Sequence, residues 1–252
     1  MVNFDLENTL FCGQCFCWRR EGDNYVAVLN HKIYRINQNS DIQDSFLTNY
    51  LDMNYDYKAA LTKIRTMDSL LNTAIDKCNE LHILNQDLWE TIICFILSQN
   101  NNIKRIEGLY DSFCKNYGDE VETGYFCFPT PDQLKNVSEK DLRDMKVGFR
   151  APYIFDAIKH SQELLSIGEK SDNEADKILQ SIKGIGPKVS ACIRLFSLHH
   201  LNVFPKDVWI KKIMRVKFEN MDESIFYPLA GLAQQYLFHY ARLGYLPELN
   251  EK

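Results

Sequence analysis

The stretch Gln180-Ser-Ile-Lys-Gly-Ile-Gly-Pro-Lys188, followed at position 207 by an aspartate, decides how this chain is read. Upstream of it, Ala175, Ile178, Leu179 and Ile182 recur at i, i+3, i+4 and i+7, one apolar face of a helix. Ser171 and Glu174 form the S-x-x-E capping box that opens that helix. Gly184 and Gly186 then supply backbone angles closed to other residues, and Pro187 suits the first position of a new helix. Val189, Cys192, Ile193 and Phe196 fall on one face of that second helix. The pattern predicts helix, tight glycine hairpin, helix over residues 174–198, with Lys188 in the first turn of the second helix.

That position bears on chemistry. A helix N-terminus carries roughly half a positive charge, so a second cation beside it is disfavoured. An ammonium there gives up its proton more readily, the more so where water is excluded. The neutral amine is a nucleophile able to form a Schiff base. The competing reading makes Lys188 a solvated surface lysine.

At 252 residues the chain is long enough for one large domain or two to three small ones. Its 45% hydrophobic and 25% charged residues are those of a soluble globular protein and exclude disorder. Acidic residues stand at the N-terminus where a signal peptide needs basic ones, and the most apolar run, 91–97, is too short to span a bilayer. No membrane association and a cytoplasmic location are therefore expected, at the nucleoid if the source is prokaryotic. Eight cysteines without a secretory signal read as reduced thiols. Cys12-Gly-Gln-Cys15 has no second C-x-x-C to complete a zinc site, and Cys15 and Cys17 alternate with Phe16 and Trp18 as strand residues would. The net charge of −5 is unevenly spread. Residues 182–217 hold eight Lys and Arg against one acid, Asp207, so this segment is +7 and the remainder −12. A basic patch around the hairpin is the footprint of a phosphate-backbone reader.

Along the chain, residues 1–50 read as mostly strand, with runs at Gln14–Trp18, Asn24–Leu29 and Lys32–Ile36, then helix from Ile42 to Lys63. From Met67 only helix is expected until Val203. Asp87 to Leu97 is apolar nearly all round and hence a buried helix, running into the polar loop Ser98-Gln-Asn-Asn-Asn102. Lys146-Val-Gly-Phe-Arg-Ala151 is a turn presenting an aromatic and an arginine side by side, before a helix from Tyr153 to Leu165. Asn202 to Asp207 is extended, and Asp207 precedes a helix, Val208 to Val216, where an aspartate is a cap before it is a catalyst. A last helix, about Pro228 to Leu243, puts Gln234 and Phe238 on one face; an amide can read a base edge and a ring can stack on it, though the plainer reading is a core Phe238 and a surface Gln234.

Together these segments resemble the helix–hairpin–helix–Gly/Pro–Asp superfamily of DNA glycosylases, and within it the 8-oxoguanine glycosylases of the eukaryotic type. The likeness rests on Gly13-Gln-Cys-Phe-Cys-Trp18, Ser98-Gln-Asn-Asn-Asn-Ile-Lys-Arg105, Gly148-Phe-Arg-Ala151, Gly184-Ile-Gly-Pro-Lys-Val-Ser-Ala-Cys192, Phe204-Pro-Lys-Asp-Val208 and Ala233-Gln-Gln-Tyr-Leu-Phe238. It implies an α+β protein: a small N-terminal antiparallel sheet domain with flanking helices over residues 1–80, then a mainly helical region, 81–252, that carries the hairpin. It also implies a monomer acting on double-stranded DNA in base excision repair, excising 8-oxoguanine and nicking the strand. By resemblance Lys188 attacks the sugar C1′ and Asp207 stabilises the developing oxocarbenium charge. The flipped base lies between Phe238 and Cys192, with Gln234 on its Watson–Crick edge and the carbonyl of Gly13 accepting from N7–H, a donor that guanine lacks. Asn100 fills the hole in the duplex, Arg105 and Arg150 contact the orphaned cytosine, and Phe149 is a wedge. Backbone N–H groups of Gly184, Gly186 and Val189 hold a phosphate, with room for a monovalent cation on hairpin carbonyls; zinc and iron are not implied. Trp209 stands where the family usually has a histidine, and Phe149 where tyrosine is usual. The alternatives are a helix–hairpin–helix glycosylase for an alkylated purine, which usually lacks the hairpin lysine, and a non-catalytic DNA-binding module, which needs neither Lys188 nor Asp207.

Overall fold

The computed structural model describes residues 2–250. The N-terminal part is less sheet than the sequence suggested. Asp5 caps a short helix, α1 (Leu6–Phe11), by accepting from the Asn8 amide. Gln14 to Trp18 is not a strand. Cys15, Phe16, Cys17 and Trp18 are all buried, so they do not alternate, and the carbonyls of Phe16 and Trp18 are taken by the Arg19 guanidinium instead of a neighbouring strand. The sheet proper is an antiparallel meander of β1 (Arg19–Glu21), β2 (Asn24–Leu29) and β3 (Lys32–Ile36), with Arg19 opposite Val26 and Tyr25 opposite Ile36. The expected helix from Ile42 to Lys63 is two, α2 (Ser45–Tyr50) and α3 (Tyr57–Arg65), because Asp44 and Asp56 each cap a separate start. Helix α4 (Ser69–Cys78) follows.

The helical region begins with α5 (Leu88–Ser98), buried along most of its length as its all-round apolar sequence requires, and continues into α6 (Ile103–Tyr117). A small hairpin, β4 (Glu120–Glu122) and β5 (Tyr125–Phe126), interrupts the run of helices; the Thr-Gly turn, with Gly124 at φ +86°, makes it possible. Short helices α7 (Pro131–Leu134) and α8 (Glu139–Asp144) lead to α9 (Ala151–Lys159) and α10 (Ser161–Leu165), which the sequence joined into one and which part at His160. The hairpin helices are α11 (Asp172–Ser181), opened by the Ser171–Glu174 capping box, and α12 (Pro187–Ser197). Asp207 caps α13 (Val208–Lys217), and α14 (Ala230–Arg242) begins two residues later than Pro228.

The ends of the chain are fastened together. Helix α14 packs on α4, and Tyr236 Oη accepts from the Leu81 amide and donates to the Asn79 carbonyl. Gln235 Nε2 donates to the Cys12 carbonyl at 3.3 Å, and His239 Nε2 stands 2.9 Å from Asn8 Oδ1. One apolar core runs from Val2 through α5 to α14. The eight cysteines are free and buried.

Of the two hairpin glycines, one has the expected backbone. Gly184 sits at φ +83°, and a Cβ there would lie 2.3 Å from the Tyr153 ring. Gly186 has ordinary extended angles (φ −96°, ψ −179°), and a Cβ on it would meet no protein atom within 4 Å. Gly184→Ala is therefore expected to cost about 2–4 kcal/mol, combining left-handed strain with a ring clash, and Gly186→Ala under about 1 kcal/mol. Urea unfolding midpoints of the two variants check this contrast; equal midpoints would remove the packing role of Gly184.

Candidate active site

A cleft of about 1310 Å³ opens where three helices point their N-termini. Its lining includes Asn102 and Ile103 at the start of α6, Gly186, Lys188 and Val189 at the start of α12, and Asp207 to Trp209 at the start of α13. Asn102 caps α6 by accepting from the Arg105 amide at 3.0 Å, and Asp207 caps α13 by accepting from the Ile210 amide at 2.8 Å. Helix α12 has no side-chain cap. The amides of Gly184, Gly186, Lys188 and Val189 donate to no described acceptor, so this N-terminus is left open to an anion.

Lys188 and Asp207, nineteen residues apart in sequence, meet in this cleft. Lys188 is half-buried, with Nζ 5.4 Å from the centre of the Phe95 ring. Burial raises the pKa of the Asp207 carboxyl; the Ile210 amide and the Lys188 ammonium pull it the other way. Burial likewise raises the Cys192 thiol, opposed by the Lys188 charge beside it. The pair thus offers a lysine nitrogen and a partly desolvated carboxylate to one reacting centre.

From the sequence-derived set the cleft gathers Gly13, Asn100, Gly186, Lys188, Val189, Asp207 and Phe238. Gly13, at φ +90°, is held by its neighbour: the fully buried Gln14 amide donates to the carbonyls of Thr9 and His82 and accepts from the Leu84 amide. Asn100 is exposed in the left-handed region at φ +46°, which asparagine tolerates. Gln234 and Phe238 do share a face, with burial the reverse of the plainer expectation: Gln234 is buried and Phe238 half-exposed. Neither Gln234 nor Cys192 lines the cleft, and Gln234 Oε1 is buried without a hydrogen-bond partner.

The turn at 146–151 corrects another expectation. Phe149 is 48% exposed, but Arg150 is 2% exposed and faces inward. Its guanidinium donates to the carbonyls of Gln99, Asn100 and Val147. Two of these carbonyls belong to the cap and loop just past the C-terminal end of α5, where a cation is favoured. Arg150 thus braces the Asn100 loop; it does stand beside Phe149, its guanidinium carbon 4.4 Å from the ring centre, but buried beneath the ring and not presented to solvent. Arg105 stays exposed and donates to the Lys146 carbonyl at 3.1 Å, tying the same two loops from outside. Sequence reasoning missed the buried Gln14 and also Arg242, which lines the cleft four residues beyond Phe238; the i+4 spacing from Phe238 was the available signal. Among the described residues no cluster of His, Cys, Asp or Glu is arranged to hold a metal ion, and no helix is long and apolar enough to cross a membrane.

Comparison with known proteins gives a consistent family. Residues 1–92 match the family described as the 8-oxoguanine DNA glycosylase N-terminal domain, and residues 93–223 the HhH-GPD superfamily of base excision DNA repair proteins. An N-glycosylase/DNA lyase of Saccharomyces cerevisiae is 34% identical over 158 residues, 55% of this chain and 42% of that protein. The Arabidopsis thaliana N-glycosylase/DNA lyase OGG1 is 37% identical over 142 residues, 52% of this chain and 39% of that one. The matched part is thus about two-fifths of the length of those curated relatives. Among solved structures, a Clostridium acetobutylicum 8-oxoguanine glycosylase/lyase, in complex with double-stranded DNA containing cytosine opposite 8-oxoG, superposes with a TM-score of 0.86 at 32% identity, covering 96% of this chain and 93% of that one. MBOgg1, in complex with a low-affinity DNA ligand, superposes with a TM-score of 0.88 at 33% identity and the same coverage.

The raised carboxyl of Asp207 carries a stability consequence. With its folded pKa above the unfolded value, the native state binds the proton more tightly, so stability falls as pH rises from the ordinary carboxyl range through the folded pKa, and the cost is full at neutral pH. Asparagine caps as well as aspartate without the buried charge. Asp207→Asn is expected to raise Tm at pH 7 by about 2–4 °C, the shift that ~1 kcal/mol produces in a protein of this size. Scanning calorimetry at pH 7 checks the sign; a lower Tm would mean the ionised carboxylate stabilises the fold.

Proposed function

The chain belongs to the HhH-GPD superfamily of base excision DNA repair proteins, and from that premise we propose that it is a DNA glycosylase with lyase activity acting on 8-oxoguanine in double-stranded DNA. The observation that carries this reading is the meeting of Lys188 and Asp207 beside the uncapped N-terminus of α12. A phosphate-gripping hairpin needs neither side chain. A glycosylase that also cuts the strand needs both.

In this mechanism the damaged nucleotide is flipped out of the stack into the cleft. The unprotonated Nζ of Lys188 attacks C1′ as the bond to the base breaks, and the electron pair of that bond leaves with the base. Asp207 supplies fixed negative charge where oxocarbenium charge develops. Ring opening yields a Schiff base between Lys188 and the sugar. Loss of a C2′ proton then expels the 3′-phosphate by β-elimination. Phe238 offers a face for the flipped base, and Gly13 a carbonyl for N7–H, which separates the lesion from guanine, whose N7 is itself an acceptor. Asn100, exposed beside the cleft, would occupy the vacated position in the duplex, with Phe149 as wedge and Arg105 on the orphaned cytosine; Arg150 would join them only by releasing the Asn100 loop. Cys192 and Gln234 would complete the base pocket if it opens further, and the partnerless Gln234 Oε1 is the group that gains most from a ligand's donor.

The free amides of Gly184, Gly186 and Val189 suit a DNA phosphate. A monovalent cation fits the same turn, since the carbonyls of Lys183, Gly184 and Ile185 accept no hydrogen bond from described residues; bound there it would supply positive charge to the phosphate. We take the acting species to be a monomer.

Borohydride trapping on duplex DNA containing 8-oxoguanine opposite cytosine tests the chemistry. A covalent adduct is expected with the native chain and none with Lys188→Gln; an adduct in that variant would remove Lys188 from the mechanism. Asp207→Asn should slow single-turnover excision by about 100-fold or more, on the scale of a lost charge-stabilising group. The hairpin is tested separately. Gly186→Ala, neutral for folding, should weaken duplex binding about tenfold in fluorescence anisotropy by crowding the phosphate, and native affinity would take the hairpin out of the interface.

A further inference from the structure

Helix α14 presents Gln234, Phe238 and Arg242 at i, i+4 and i+8, one face along three turns. Arg242 is the residue of that face for which the mechanism above has no use. Its guanidinium carbon lies 5.4 Å from the centre of the Phe238 ring, and it lines the cleft. Its side chain forms no hydrogen bond or ion pair with any described residue. The other arginine in the cleft lining, Arg194, is engaged with Asp172 and Asp176, and of the two in the neighbouring loops Arg150 is held by three carbonyls and Arg105 by the Lys146 carbonyl. A guanidinium with its donors unspent, beside an aromatic face in a cleft, is available to a ligand acceptor.

Its position selects which acceptor. A Cβ built on Gly13 would stand 2.8 Å from Arg242 Nη1, 3.4 Å from Phe238 Cε1 and 3.8 Å from Ile103 Cδ1. Of those three neighbours only the guanidinium donates hydrogen bonds. The group beside the Gly13 backbone is thus a cation, and the bareness of Gly13 is what lets it approach. 8-Oxoguanine differs from guanine at two adjacent ring positions, gaining a donor at N7–H and an acceptor at the C8 oxygen. A carbonyl alone matches the first and leaves the second facing an apolar ring, which costs the desolvation of an unpaired carbonyl oxygen. A carbonyl with a guanidinium next to it matches both.

We propose that Arg242 is a specificity-determining residue that donates to the C8 oxygen of the flipped lesion while Gly13 accepts from N7–H. This rests on the base-pocket reading above, with Gly13 and Phe238 as its walls. The two groups then read the oxidised edge as a donor–acceptor pair, and neither undamaged guanine nor a base bearing only one of the two features satisfies both. Because the guanidinium charge also acts on Asp207, the same side chain links recognition of the lesion to the carboxylate that serves the reaction.

The test compares two substrates across three proteins. Single-turnover excision is measured on duplexes carrying 8-oxoguanine or 8-thioguanine, which keeps N7–H and replaces the oxygen by a weak acceptor, using the native chain, Arg242→Met and Arg242→Lys. The native chain is expected to favour 8-oxoguanine by about 10- to 100-fold, the size of one charge-assisted hydrogen bond. In Arg242→Met that preference should collapse to within about threefold, and Arg242→Lys should recover part of it. A general loss of folding or DNA affinity would slow both substrates together and leave their ratio unchanged, and an unchanged ratio in Arg242→Met overturns the proposal. A native chain that excises neither base overturns the base-pocket reading itself, and the role of Arg242 falls with it.

Discussion

Three helix N-termini directed into one cleft set the conditions for everything else in this protein. Each brings a fraction of positive charge and a set of amides without intrahelical partners. Helices α6 and α13 close theirs with Asn102 and Asp207, and α12 keeps its amides open. A lysine in the first turn of α12 adds a full positive charge where the backbone already supplies a partial one. Asp207 is the counterweight, since one oxygen caps α13 and its charge acts on Lys188. The carboxylate is itself partly desolvated, so the pair is held at an electrostatic cost that only an anionic ligand or a developing cation relieves.

That cost is sustained because the helices cannot move apart. The Gly184 turn lies against the Tyr153 ring so closely that no side chain fits between them, and Asp156 accepts the Lys183 amide at 2.8 Å. Arg194 on α12 reaches back to Asp172 and Asp176 on α11, with Ser190 donating to Asp176 at 2.6 Å and His200 beside Asp172. These contacts fix α12 to α11 and the hairpin turn to α9. Behind them the buried α5 gives α12 an apolar surface, with the Phe95 and Phe196 rings stacked at 5.4 Å.

What could be read from sequence follows from the range of the forces involved. The hairpin, the caps at Ser171 and Asp207, and strands β2 and β3 are written in residues within one or two turns of each other, and they appear where expected. Gln14 to Trp18 looked like a strand because aromatic and thiol residues favour one, but its carbonyls are claimed by Arg19 and by Gln86, seventy-two residues away from Gln14 in sequence. Arg150 turned inward because the Gln99 and Asn100 carbonyls it satisfies belong to a segment fifty residues earlier. The inverted burial of Gln234 and Phe238 depends on what α14 packs against, which periodicity does not disclose. Apart from Arg19, a near neighbour of the carbonyls it takes, long-range partners invisible to local pattern account for these departures.

The same distinction divides the work of the site. The anion grip is local, since one hairpin of consecutive residues contains its turn, its proline and its free amides. The proposed base pocket is not. Gly13 and Phe238 face one another only because α14 is pinned to the start of the chain through Gln235 and Cys12, Tyr236 and Asn79, and His239 and Asn8. Burial lowers the pKa of His239 to about 4, so it remains neutral at physiological pH; Asn8 spends its amide protons on Asp5 and Cys78, leaving its oxygen to accept from His239 Nε2–H. A substitution at this seam would widen the pocket without touching the hairpin. On the proposed function, affinity for duplex DNA and selection of the damaged base would therefore rest on separable parts of the structure that meet only at Lys188 and Asp207.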